Sequence, residues 1–271
     1  MHCIGIFANP HKPDAPAEVQ AAITSAEQKG YHCVLDAALQ HLPGLGGYPG
    51  FDTCPPGILV ALGGDGTILR AAALAVSLDI PVLGINFGRI GFLSEISAGD
   101  FAGALEAIEA GRYTLDARMM LRCSVNGGEA HHCLNEALLY KRHFSGVADI
   151  NVTIGAQDAG NVFCDGIIIS TPTGATGYSI SAGGPVIAPG LDAFIITPIC
   201  PHTLSFRPII ASDAATMRFS MRSDGYLAMD GMYTQDVNAE DIITVCRSEY
   251  NAKFIRLRES NLYALIQNKL T

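Results

Sequence analysis

Short runs of apolar residues with no polar alternation inside them constrain this chain most. They are Cys3-Ile4-Gly5-Ile6-Phe7-Ala8, Ile58-Leu59-Val60-Ala61-Leu62 and residues 81–85. A strand that is apolar on both sides must be covered on both sides, which is the condition of a parallel sheet between helices. The intervening segments read as those helices. Val19, Ala22, Ile23 and Ala26 recur at helical spacing after the stop at Asn9-Pro10. Gly30 then stands where a helix end adopts positive φ, ahead of a strand at residues 31–35. Residues 67–78 predict a second helix, and residues 101–110, apolar at Phe101, Leu105 and Ile108, a third. The turn formers at 43–50 read as a surface loop.

From about Leu121 the period shifts toward two. Residues 121–125, the turn Asn126-Gly127-Gly128 and residues 129–140 predict a hairpin, and further strands are expected at 149–154, 166–170, 194–199, 217–221, 226–229 and 242–246. In the tail, Leu262, Leu265, Ile266 and Leu270 share a helical face. The expected fold class is an α/β domain over residues 1–115 and a β-rich domain over 116–252, with segment 253–271 packing back on the first.

Composition narrows the function. With 271 residues, 49% hydrophobic and 16% charged, the chain can bury a sizeable core. No run reaches the roughly 18 apolar residues of a membrane helix, and the N-terminus lacks a basic leader, so a cytoplasmic protein is expected. A net charge of -9 argues against nucleic acid, which needs clustered Lys and Arg. None of the eight cysteines forms a C-x-x-C pair. His131 and His132, adjacent on a strand, point to opposite faces, and no side chain is assigned to a metal.

Four segments carry chemistry. Gly63-Gly64-Asp65-Gly66-Thr67 lies between a buried strand and a helix start, where backbone N–H groups can meet phosphate oxygens. Asp65 conflicts with pure phosphate binding unless it meets a metal or takes a proton from an attacking hydroxyl. A tight turn with Asp65 or Thr67 capping the helix is the structural alternative. Asn86-Phe87-Gly88-Arg89-Ile90-Gly91-Phe92-Leu93 again follows a strand and offers an aromatic ring and an amide to a base, or else places Phe92 in the core. Asn135-Glu136 are polar residues inside an apolar strand and need partners, either a ribose diol or adenine edge, or an internal Thr or Tyr. Residues 165–185 hold seven hydroxyl side chains and five glycines with no Lys or Arg. They can grip ribose or phosphate through hydroxyl and N–H groups, and Tyr178 can stack on a base. Asp230-Gly231 adds a carboxylate in a turn.

These segments, together with Pro201-His202-Thr203-Leu204-Ser205 and Arg207-Pro208, resemble the NAD kinase family in type and order over most of the chain. The glycine-aspartate loop is shared with lipid kinases and phosphofructokinase, whereas the run at 165–185 is specific. The resemblance implies a dinucleotide between the two domains. It also implies phosphoryl transfer from ATP, or polyphosphate, to the 2′-hydroxyl of the adenosine ribose of NAD, with Mg²⁺ or another divalent metal. By that likeness Asp65 is catalytic, and Gly63, Gly64, Gly66 and Thr67 form the phosphate-donor loop. Asp65, Gly66, Phe92, Asn135, Glu136, Asp165, Thr176, Gly177, Tyr178 and Ser181 line the NAD site, and a homo-oligomer, dimer or tetramer, is expected. Where the family commonly has alanine, this chain has Gly177. A lipid kinase resembles it only near residues 58–78 and would need a basic amphipathic helix for docking. A non-catalytic NAD sensor would have no need of Asp65.

Overall fold

The computed structural model describes residues 3–88, 91–143, 145–203, 205–258 and 266. The chain divides into two compact units, one of residues up to 117 with those from 252 onward, the other of residues 118–251. Arg89, Ile90, Leu204 and the expected helical face of the tail, apart from Ile266, lie outside the described residues.

The first unit opens with β1 (Cys3–Ala8), α1 (Ala15–Gln28), β2 (His32–Leu35), β3 (Ile58–Leu62), α2 (Asp65–Ser77), β4 (Val82–Asn86), β5 (Ile96–Ser97) and α3 (Phe101–Glu109). The strands pair in parallel in the order β2-β1-β3-β4, and β5 continues from β4. Parallel pairing requires crossovers, and the helices supply them, as the unbroken apolar runs demanded. Val19, Ala22, Ile23 and Ala26 of α1 join Ile4, Ile6, Val60 and Leu62 in the core, and Gly30 closes α1 at φ 80°. Strand order reverses between β1 and β3, and such a switch point opens a crevice beyond the carboxyl ends of both strands. Gly63 to Asp65 lie directly beyond β3.

The second unit is a sandwich built from β6 (Thr114–Val125) from residue 118 on, β7 (His131–Cys133), β8 (Glu136–Lys141), β9 (Ala148–Ile154), β10 (Gln157–Cys164), β11 (Gly166–Ser170), the short α4 (Tyr178–Ser181), β12 (Ala193–Ile199), β13 (Ile209–Ser212), β14 (Met217–Met221), β15 (Gly225–Met229), β16 (Tyr233–Val237) and β17 (Ile242–Arg256) up to residue 251, the remaining residues of β6 and β17 belonging to the first unit. One layer runs β13-β12-β11-β8-β15-β16, antiparallel throughout. The other contains β10-β9-β14-β17 and the β6-β7 pair. Leu139, Ile167, Ile169 and Phe194 of the first layer meet Leu121, Val152, Phe219 and Val245 of the second. Strand β11 is buried along its whole length because the chain after it folds back over its outer side, setting Ala175 and Ile187 on Ile195.

The expected hairpin is corrected in one respect. Residues 129–140 are not one strand: β7 pairs with β6, whereas β8 belongs to the other layer, and the chain changes layers at Leu134-Asn135. Strands β10, β13 and β16 had no sequence expectation. Their exposed faces carry Asp158, Ile210 and Asp236, a mixture without a clear period. The strand expected at 242–246 runs on to Arg256 and ends beside β4, with Phe254 opposite Val82.

Candidate functional site

In the first unit the two glycine-rich segments converge on one carboxylate. Gly63 has φ 148°, and a Cβ there would strike the Thr67 side chain, so the turn out of β3 needs glycine. Gly64 is the N-cap of α2 without a side-chain cap bond, and Asp65 begins the helix. The capping alternative is thereby set aside: the Asp65 side chain reaches across to the segment after β4. Its Oδ2 accepts from the N–H of Phe92 at 3.0 Å and its Oδ1 from the N–H of Leu93 at 3.1 Å. Gly91 must be glycine because a Cβ would fall on that carboxylate. Phe92 is half-buried, not in the core, and Phe87 is 40% exposed. Gly66 is exposed with open space around it, and Thr67 is buried. Beside this loop, an open cleft is lined by Glu18, Ala22, Leu62, Ile85, Phe87 and Phe101.

In the second unit the site forms where the chain changes layers. The three N–H groups of Leu134, Asn135 and Glu136 leave the ladder there and would be costly to bury unpaired. The Asp230 carboxylate takes all three, at 2.6, 2.8 and 2.9 Å. Asp230 sits at positive φ in the Asp230-Gly231 turn joining β15 and β16 and returns its own N–H to the Glu136 carbonyl. Burial raises its pKa to about 6, against the lowering by those backbone donors.

The loop after β11 is tied to the same corner. Thr171 donates its hydroxyl to the Leu134 carbonyl at 2.5 Å and its N–H to the Asn135 carbonyl at 2.9 Å. Gly174 packs against the Asn135 backbone so closely that a Cβ cannot be accommodated. Ser179 and Thr197 share a hydrogen bond at 2.9 Å that fastens α4 to β12. Glu136 is thus held under the loop, with a Cβ at Gly177 coming 3.3 Å from its Oε2. That Oε2 is buried and accepts no hydrogen bond among the described residues. Burial, with the Asp230 charge added, pushes the Glu136 pKa up to about 7.

Asn135, Glu136, Thr176, Gly177, Tyr178 and Ser181 therefore gather at one end of β8 and β11. Tyr178 is 44% exposed and Ser181 also faces outward, whereas Thr176 bonds the Thr173 carbonyl. Asp165 is not brought into this group. It lies at the opposite end of β11, roughly 16 Å away by strand rise, and pairs with Lys141 at 2.5 Å. His202 and Thr203 hold the end of β10 through Phe163. Sequence reasoning underrated Asp230, whose role depends on a contact 94 residues away. It missed Arg118, which is buried and donates to Thr173 at 3.4 Å. The available signal was an arginine at a strand position followed by Met119-Met120-Leu121.

Similarity to known proteins follows the same division. Residues 57–113 match the ATP-NAD kinase N-terminal domain and residues 134–257 the ATP-NAD kinase C-terminal domain. The NAD kinases of Geobacter metallireducens and Moorella thermoacetica are each 37% identical over 279 aligned positions, spanning 100% of this chain and 98% and 89% of those proteins. The crystal structure of yeast NADH kinase complexed with NADH superposes with a TM-score of 0.87 at 25% identity, over 100% of this chain and 87% of that one. An NAD kinase from Archaeoglobus fulgidus in complex with ATP superposes with a TM-score of 0.75 at 25% identity, over 98% of this chain and 99% of that one. With both domains matched in order and full-length relatives above one-third identity, the chain belongs to the NAD kinase family.

Proposed function

We propose that this protein transfers the terminal phosphoryl group of ATP to the 2′-hydroxyl of the adenosine ribose of NAD, giving NADP and ADP. The observation that carries the reading is the buried Glu136 Oε2 without a donor, under a loop rich in hydroxyls and poor in cations. Such an acceptor answers a diol. A ribose offers two adjacent O–H donors, and charge-assisted bonds to a carboxylate are each worth about 1.5–3 kcal/mol. Thr176, Tyr178 and Ser181 supply hydroxyls and an exposed ring for the rest of the nucleoside, and Asn135 an amide for a base edge. Asp165 would join this set only where a ligand reaches the far end of β11.

In the reaction the ribose oxygen forms a bond to the terminal phosphorus while the bond to the bridging oxygen of ADP breaks. The hydroxyl proton goes to Asp65. A carboxylate accepts about four hydrogen bonds, so two backbone donors that fix its orientation are compatible with a third from the ribose. The N–H groups at the start of α2, with Gly63, Gly64, Gly66 and Thr67 around them, face the charge of the donor phosphates. A divalent cation bound with the donor would supply charge to offset that on the phosphoryl oxygens. No three His, Cys, Asp or Glu side chains cluster to hold one among the described residues. Phosphate oxygens of the donor and water would be the hard oxygen ligands that suit Mg²⁺.

The test is one set of assays offering NAD and NADH with ATP and with polyphosphate, alongside sphingosine and diacylglycerol. NADP formation from NAD and ATP is expected. Phosphorylation of a lipid but not NAD would overturn the reading. So would NAD raising Tm with every donor yielding no NADP, which describes a sensor.

A further inference from the structure

Asp65 is held by the segment 91–95, and that segment is in turn held from the other end of the chain. Glu95 is 6% exposed and Arg256 is 7% exposed. Their side chains pair at 3.1 Å, and the second Glu95 oxygen accepts the N–H of Leu257 at 2.9 Å. The same Arg256 nitrogen that meets Glu95 also reaches the Leu93 carbonyl at 3.5 Å, while its Nε donates to Asp116 at 3.0 Å. Arg258 donates to the Glu95 carbonyl at 3.1 Å, and the Glu95 N–H goes to the Gly84 carbonyl of β4 at 2.9 Å. Within the segment Ser94 accepts the N–H of Gly91 at 2.5 Å. Every residue in this chain of contacts lies in the first unit.

The relation to Asp65 is direct. The peptide that carries the Leu93 carbonyl follows the N–H that bonds Asp65 Oδ1, so the guanidinium braces one side of a residue whose other side orients the carboxylate. Arginine suits the task because its planar fork donates in several fixed directions at once, toward Glu95, Asp116 and the carbonyl. Lysine has one ammonium and cannot span the three. A buried ion pair is weak evidence of a role in stability. Its place beside the segment that aims Asp65 points to a different role.

We infer that Arg256, locked by Glu95, is a positioning residue for phosphoryl transfer: it fixes the 91–95 segment and through it the Asp65 carboxylate. The inference rests on the role proposed for Asp65.

The test is a double-mutant cycle with Asp65→Asn, Arg256→Lys and the two together. Turnover and KM for NAD are measured well below each variant's Tm, with slow variants followed by NADP accumulation over hours. Arg256→Lys is expected to lower kcat by about 10- to 100-fold with KM for NAD within about threefold, as misplacement of a reacting group does. In the Asp65→Asn background the same change should cost less than about twofold, because no base remains to be misplaced. Equal losses in both backgrounds, or an Arg256→Lys variant within twofold of the parent kcat, would overturn the positioning role while leaving Asp65 as the base. If Asp65→Asn itself keeps its turnover, the reading of Asp65 fails, and the inference with it. Should Arg256→Lys fold poorly, Asp116→Asn loosens the same guanidinium from its more exposed side and must show the same background dependence.

Discussion

Gly91 lies where any side chain would collide with the carboxylate of Asp65: a Cβ built there meets Oδ1, Oδ2 and Cγ at less than contact distance. A glycine of the second motif thus exists to admit an aspartate of the first. Gly91→Ala should push Asp65 off the N–H groups of Phe92 and Leu93 and lower kcat by about 10- to 100-fold. The change is local, so Tm should fall by only a few degrees. A variant with parental kcat would show that the carboxylate need not lie where Gly91 leaves room for it.

Asp65→Asn keeps the shape of the side chain and removes its basicity. General-base contributions run to roughly 10²–10⁴-fold, so kcat should drop by at least about two orders of magnitude while NAD affinity, read by calorimetry, changes little. Joint loss of turnover and NAD binding would mark Asp65 as a substrate-positioning group instead of the base.

Glu136→Ala should weaken NAD binding by about tenfold or more and leave the protein folded, since the charge-assisted bonds to the ribose are lost. Unchanged affinity with a lower Tm would make Glu136 a structural residue.

The raised pKa values of Glu136, about 7, and Asp230, about 6, set a pH dependence of stability. Each carboxyl binds its proton more tightly folded than unfolded. Stability is therefore greatest below the unfolded values near 4 and is lost as pH rises through the folded ones. The ligand-free protein should be more stable at pH 5 than at pH 8. Glu136→Gln should flatten that dependence and raise stability at pH 8 by about 1–3 kcal/mol, while weakening NAD. Denaturant melts across this range are the check, and a wild-type protein that gains stability toward pH 8 would contradict the burial of the pair.

Gly174 and Gly177 should differ although they stand in one loop. A Cβ at Gly174 meets backbone atoms of Asn135, which cannot yield, so Gly174→Ala should cost about 1–3 kcal/mol or more and lower Tm by about 5 °C. At Gly177 the nearest atoms are the Gly174 carbonyl oxygen at 3.2 Å and the Glu136 side chain at 3.3 Å, both outside the overlap seen at Gly174, and the side chain can shift by a few tenths of an ångström. Gly177→Ala should leave Tm within about 2 °C and NAD affinity within about threefold. Equal damage from both would mean that Glu136 is fixed as rigidly as the backbone.

The parallel sheet was legible in the sequence because apolar runs such as 58–62 report burial on both faces, a property each strand carries in its own residues. The glycine-aspartate loop was legible for a similar reason: only glycine tolerates the turn at Gly63, and an aspartate beside it is chemically conspicuous. The strand 166–170 and the hydroxyl-rich loop after it were also visible as composition. Where the chain changes layers was not, since residues 129–140 hold no glycine or proline to mark a break at Leu134-Asn135, and only pairing to β6 and to β11 separates the two strands. Nor could the sequence distinguish the distant partners that make the site. Asp230 reaches the N–H groups of 134–136, Gly91 makes room for Asp65, and Arg256 pairs with Glu95, each across a long stretch of chain. Local propensity and period are properties of neighbours in sequence. The orientation of a carboxylate is set by donors that tertiary packing brings to it, and that packing decided which of the candidate acids took distant backbone N–H groups, which an ion-pair partner, and which became the unanswered acceptor at Glu136.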